Sequence, residues 1–342
     1  MTRELDGTRL VTPAMIAVVV ILATVPFWIQ AIGLYQYLAV EILIWAIYAF
    51  AFNLLLGTGG LPSFGHGAFF GIGAYACGLA QMHLGAGLWL SLIAALLAAT
   101  LAGAFVSAFV ARRRGIYFAL MTIAFGQIFW FIAMKARDIT GGEDGLLPIA
   151  RPPVGIGGTG IDITGNVAFY YFVLVIFALV LVLFWRLTHS PFGRVLAAIR
   201  QSETRAGHLG YSVLAFKMAA FTLSAAISGM AGGLFAMAQA SAFPDVMSLH
   251  FSGYIVMMVL VGGGFASFWG PLVGVLVFFV ARDVLGAFTS TWMLWFGLLF
   301  VTVILFKPEG IAGLAQDVAK RLRKGDRENE RPVAATAVDA GS

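Results

Sequence analysis

The side chains able to carry charge or chemistry are few in this chain, and they are concentrated. Four arginines and a glutamate (Arg186, Arg194, Arg200, Arg205 and Glu203) fall in or beside the stretch PFGRVLAAIRQSETRAGHLG, Pro191 to Gly210. Val195, Leu196 and Ile199 make one apolar face of a short helix there, flanked by Arg194 and Arg200. Glu203 to Leu209 reads as a second short helix that Gly210 ends. Such a pair either lies on lipid or seats against a protein partner; the acidic Glu203 and the two-part pattern favour the protein. Inside the apolar runs the ionisable groups are scattered. Glu41 must be paired, protonated or close to the end of its span, because an isolated charge at the bilayer centre costs about 3 kcal/mol or more. His66 opens an apolar run, where a lone histidine is ordinarily a hydrogen-bonding structural residue. Arg282 and Asp283 are adjacent near the outer end of another run. No G-x-x-x-x-G-K-[ST] segment occurs, and the Gly-rich interval 57–73 has no lysine, so a nucleotide-binding P-loop is excluded. No His/Cys group has metal-ligand spacing and no Ser-His-acid arrangement is suggested. Catalysis by this chain, a cofactor and a nucleic-acid partner are therefore not expected.

The elements that must hold these groups are membrane helices. Of 342 residues, 61% are hydrophobic and 11% charged, with mean hydropathy +0.94; a soluble domain would carry about 25% charged residues. The apolar residues come in runs, and ten spans are expected, at 13–33, 36–56, 66–84, 87–110, 116–136, 168–185, 218–240, 251–264, 271–286 and 291–306. The eighth and ninth fall short of the ~20 residues that cross squarely, and are candidates for broken or re-entrant segments. Placing the N-terminus in the cytoplasm puts 17 of the 21 Lys and Arg on the cytoplasmic side, including Arg112-Arg113-Arg114, the Arg186–Lys217 interval and the basic tail. Both termini are then cytoplasmic: a head at 1–12, a helical domain at 13–312 and a partly disordered tail at 313–342. Arg3 and Arg9 before the first run resemble a signal peptide without a small-x-small cleavage site, so that run is read as a retained helix. The outer connection from 137 to 167 carries Asp138, Glu143, Asp144 and Asp162, and is either a solvated loop or a contact surface. The lone Cys77 reads as a small buried apolar residue.

An internal repeat is indicated. Gly59-Gly60-Leu61-Pro62-Ser63-Phe64 and Gly263-Gly264-Phe265-Ala266-Ser267-Phe268 share the form G-G-x-x-S-F, each between an inward and an outward span, as parallel repeats require. Asn53, Ser63, His66, Gly263, Gly264 and Ser267 are the candidates for a solute path. Gly67-x-x-x-Gly71 and Gly229-x-x-x-Gly233 predict close helix approach within the bundle.

Over most of its length the chain resembles the permease subunits of branched-chain amino-acid ABC importers, the LivM type. Three blocks carry the resemblance: Asn53–Gly57 through Ser63–Tyr75; Arg114–Thr122 with Phe125-Gly126 and Thr140–Gly145; and Pro191–Arg194 with Ala198-Ile199-Arg200, Glu203, Ala206, Leu209-Gly210, Lys217 and Ala231-Gly232-Gly233. The resemblance implies an all-α, multi-pass protein of the bacterial inner membrane. It implies that about 186–217 is a coupling loop, with Gly193, Arg194, Arg200, Glu203, Ala206 and Gly210, that seats on an ATPase subunit. It departs from the E-A-A pattern of permeases, since Thr204-Arg205 follows Glu203. It further implies two ABC ATPase subunits, a second, LivH-like permease and a periplasmic solute-binding protein. Related permeases move urea and short amides, so the motifs do not fix the solute. An ion-coupled secondary transporter is the reading from another class, and a membrane enzyme ranks last.

Overall fold

The computed structural model describes residues 12–31, 33–156, 159–265, 267–289, 291–307 and 310–313. The head and basic tail expected at 1–12 and 313–342 lie outside these, except for Thr12 and Gly313.

Each expected span is one helix. They are α1 (Pro13–Trp28), α2 (Gln36–Asn53), α3 (Gly67–Leu84), α4 (Leu88–Val110) and α5 (Gly115–Lys135), then, after the short α6 (Arg137–Thr140), α7 (Asn166–His189). Two short helices, α8 (Pro191–Gln201) and α9 (Glu203–His208), lead to α10 (Val213–Gln239), α11 (Leu249–Gly262), α12 (Gly270–Phe288) and α13 (Trp292–Phe306). Among the described residues the only paired strands are β1 (Val154–Ile156) and β2 (Thr159–Ile161), an antiparallel hairpin in the connection between α6 and α7. The chain is an all-α integral membrane protein. Among the described residues six helices are long and apolar enough to cross a bilayer, counting α2 with the π-turn Leu54–Thr58 that extends it.

The two short spans resolve differently. α12 has 19 residues and reaches the crossing length. α11 has 14, about 21 Å at 1.5 Å per residue, short of a ~30 Å hydrocarbon core. It is preceded by a 3₁₀ turn, Pro244–Met247, and capped by Ser248, whose hydroxyl accepts from Phe251 N. That irregular backbone is buried in protein, where bilayer physics tolerates it.

The bundle is organised around α2, which is buried over nearly its whole length among α7, α10, α11 and α12. Its aromatic side chains knit these elements: Trp45 lies 4.7 Å from Phe251 and Tyr48 4.9 Å from Phe70, centroid to centroid. The second hub is the meeting of α10 with α3 and α4. A Cβ on Gly73 would overlap the Gly229 backbone, one on Gly232 the carbonyl of Phe70, and one on Gly229 the Cβ of Ala99. Glycine is required here because two helix backbones touch. Gly67 and Gly71 likewise abut Ser252 and Met247, so both small-residue motifs act inside the bundle.

Candidate functional site around the two short helices

The Pro191–Gly210 stretch is two capped helices. Ser190 caps α8 by accepting from Gly193 N, with Pro191 at the first turn, and Ser202 caps α9 by accepting from Arg205 N. Gly193 lies against the end of α7, where a Cβ would overlap the Leu187 carbonyl. Val195, Leu196 and Ile199 are buried as the spacing predicts, and Ala206 of α9 packs on Val195 and Ile199. Gly210 takes φ +86° and lets Tyr211 N donate back to the Ala206 carbonyl, the left-handed stop that a Cβ disfavours.

Glu203 faces inward. Its carboxylate pairs with Arg114 Nε at 2.6 Å and with Lys217 Nζ at 3.0 Å, and Lys217 also donates to the Arg113 carbonyl at 2.7 Å. Lys217 is only 1% exposed. One acid thus ties α9 to the α4–α5 connection and to α10. Arg194, Thr204, Arg205, His208 and Leu209 are among the exposed residues, the last 75% exposed, and Arg200 is exposed too. Arg200 reaches elsewhere: Nη1 donates to the Gly57 carbonyl in the π-turn after α2, and its guanidinium lies 4.7 Å from the Phe265 ring in the turn after α11.

The candidate path residues separate into two neighbourhoods. Asn53, Gly57, Gly263 and Gly264 form the first. A Cβ on Gly57 would strike both Asn53 Oδ1 and the Gly264 carbonyl, and one on Gly264 would strike the same Oδ1. The π-turn that leads into the first G-G turn therefore meets the second G-G turn at one end of the bundle, with the Asn53 amide between them. Their backbones differ: the first follows a π-turn, and the second begins with Gly263 at φ +88° as the cap of α11. Ser267 accepts from Trp269 N and so starts α12.

His66 heads the second neighbourhood. It is wholly buried, stacked on Tyr48 at 6.1 Å and edge-on to Phe52, Phe69 and Phe221. The Ser224 hydroxyl donates its one proton to the Ala51 carbonyl, so the 2.9 Å contact between Ser224 Oγ and His66 Nε2 needs the imidazole as donor. Nδ1 is then a bare acceptor, and it has no partner; the Tyr48 hydroxyl, Ser63 Oγ and Asn53 Oδ1, all buried, are also unpartnered. Buried polar atoms without partners take up water or ligand. Ser224 and Thr122, whose hydroxyl accepts from Phe64 N, carry hydrogen bonds around this neighbourhood that the sequence does not announce, since a hydroxyl in an apolar run carries no signal of its own.

At the other end, Glu41 and Arg282 find each other. Nη1 and Nη2 of Arg282 each contact one Glu41 carboxylate oxygen at 3.2 Å, Nη2 also donates to the Tyr35 hydroxyl, and Nε reaches Asp283 at 3.3 Å. Of the three readings open for Glu41, pairing holds, in the second turn of α2. The connection between α6 and α7 is pinned by Arg151, which donates to the Met237, Ala238 and Thr164 carbonyls and to Asn166 Oδ1. The acids Asp138, Glu143, Asp144 and Asp162 stay exposed. The backbone N–H and then the hydroxyl of Thr164 hold the Asp162 carboxyl below the ordinary range. Among the described residues no group of three His, Cys, Asp or Glu could hold a metal ion.

The comparisons agree with this architecture. The family model described as branched-chain amino acid transport system / permease component matches residues 34–306. The chain is 29% identical to the high-affinity branched-chain amino acid transport system permease protein LivM of Salmonella typhimurium, over 96% of this chain and 84% of that protein. It has the same identity and coverage with the LivM of Escherichia coli K12. With the probable LivM of Methanocaldococcus jannaschii the identity is 24%, over 78% of this chain and 89% of that one. No solved structure is significantly similar to it. With the family model covering most of the described bundle, the chain belongs to the permease components of branched-chain amino acid transport systems.

Proposed function

We propose that this chain is the membrane permease of an ATP-driven importer that carries branched-chain or closely related amino acids inward. It works with two ATPase subunits, a second permease and a soluble solute-binding protein. The observation that carries the reading is the α8–α9 pair: two capped helices between the two longest spans, fixed to the body by Glu203 and presenting Arg194, Arg205 and Leu209 outward. A rigid outward-facing element suits transmission of force from a partner better than lipid contact does. Gly193, Ala206 and Gly210 give the pair its shape. On this reading the head, α8–α9 and the tail are cytoplasmic in a bacterial inner membrane, 13–312 is the permease domain, and the exposed acids of the outer connection face the solute-binding protein. Asn53, Ser63, His66, Gly263, Gly264 and Ser267 border the route of the solute, the unpartnered acceptors of Asn53 and His66 receiving its N–H groups or water.

The test is uptake by proteoliposomes holding the assembled complex. Leucine accumulation should require ATP, the ATPase subunits and the binding protein. Replacing both Glu203 and Gly210 should lower solute-stimulated ATP hydrolysis while leaving membrane insertion intact. Uptake by the purified chain alone under an ion gradient would sink the reading in favour of a secondary transporter. Binding of urea or a short amide, and not leucine, by the cognate soluble protein would change the solute class.

A further inference from the structure

Arg200 lies on the coupling pair and stays partly open to solvent, but its guanidinium turns back onto the bundle. Its bond to the Gly57 carbonyl joins residues 143 apart in sequence. Its methylene stem crosses Gly60, which sits at φ +66°; a Cβ there would come within 2.7 Å of Arg200 Cγ. Its guanidinium covers the ring of Phe265. One side chain therefore touches the coupling helix, the end of α2 and the turn after α11. The π-turn at Leu54–Thr58 breaks the regular helical pairing there, which suits the Gly57 carbonyl to an outside donor. The same two turns clasp Asn53, whose buried Oδ1 has no partner.

We infer that Arg200 is a positioning residue, not an ATPase contact: it relays movement of α8 to the joined inner ends of α2 and α11, and so to the Asn53 amide. The inference rests on the coupling reading of α8–α9 given above. A charge-assisted bond, a ring contact and a packed stem together make α8 and the two G-G turns move as one piece. Lysine would keep the charge but lose the planar stacking and the fork of donors.

The experiment uses the full complex in proteoliposomes, comparing wild type with Arg200→Ala, Arg200→Lys and, on the outward face, Arg194→Ala. Arg200→Ala should retain co-purified ATPase subunits at the wild-type level while transport per ATP hydrolysed falls about tenfold, the scale of one charge-assisted contact. Arg200→Lys should recover part of that loss, and Arg194→Ala should weaken ATPase retention instead. A second readout uses spin labels on Thr204→Cys and Ser267→Cys: their distance distribution should be narrow with Arg200 and broad without it. Unchanged transport per ATP or an unchanged distribution overturns the relay, and loss of ATPase subunits from Arg200→Ala makes the residue a docking contact and overturns it too. A wild-type complex that takes up no amino acid with ATP fails the functional reading itself, which separates the two failures.

Discussion

Glu41 and Arg282 show how a residue's environment is decided by a partner far away in sequence. Glu41 stands alone in its apolar run, Arg282 has only the adjacent Asp283 in its own, and nothing in the spacing relates the two runs. In the structure they form a two-bond ion pair between α2 and α12, with Tyr35 and Asp283 completing the guanidinium's contacts. Removing one member leaves the other charge in a poorly solvated place. Glu41→Ala should cost on the order of 2–3 kcal/mol and lower the midpoint of thermal unfolding in detergent. Exchanging the pair, Glu41→Arg with Arg282→Glu, should recover most of the loss; failure to recover would mean that more than the pair is at stake. Glu203 obeys the same logic. Its charge reads as a sign of a protein partner, yet the carboxylate is spent inside the chain on Arg114 and Lys217. Glu203→Ala strands a buried ammonium, and the expected loss of stability, again about 2–3 kcal/mol, should exceed that of the exposed Arg205→Ala in the same assay.

Helices and turns were largely legible. The period of Val195, Leu196 and Ile199, and the stop at Gly210, predict α8 and α9 as they stand. The ten apolar runs each become a helix, because a backbone in lipid must pair its own N–H and C=O groups and a helix does so locally. The π-turn after α2 was not legible, nor was the shortness of α11 as against α12, since both depend on what packs around the ends. The small-residue motifs gave the right contact type without the partner. Gly232→Leu would drive a side chain into the Phe70 carbonyl on α3. Overpacking of this kind costs about 1–3 kcal/mol or more, and the yield of folded, monodisperse protein by size-exclusion chromatography should drop sharply. The same change at Gly286, where a Cβ meets nothing within 4 Å, should leave the yield unaltered.

At the scale of the whole molecule, the proposed orientation can be checked without transport. Glu143→Cys and His208→Cys occupy exposed positions at the outer connection and on α9. A membrane-impermeant maleimide added outside intact cells should label the first and not the second, and the native Cys77, buried in α3, should stay silent in both. Reversed labelling would invert the topology. By itself the sequence determined the class: long uncharged runs and basic clusters between them dictate a multi-pass helical membrane protein, and the resemblance carried by three blocks of residues adds that it is a permease. Only the tertiary structure decided which helix is central. Gln36–Thr58, Leu88–Val110 and Gly115–Lys135 are similarly apolar, with mean hydropathies of 2.0, 2.3 and 1.9 over an 18-residue stretch of each, yet 94% of that stretch is buried in the first against 33% and 28% in the others. In water the polar face of a helix marks its outside. In a bilayer the acyl chains are as apolar as a leucine side chain, so a helix that faces lipid and one that faces protein are written in the same residues, and packing alone tells them apart.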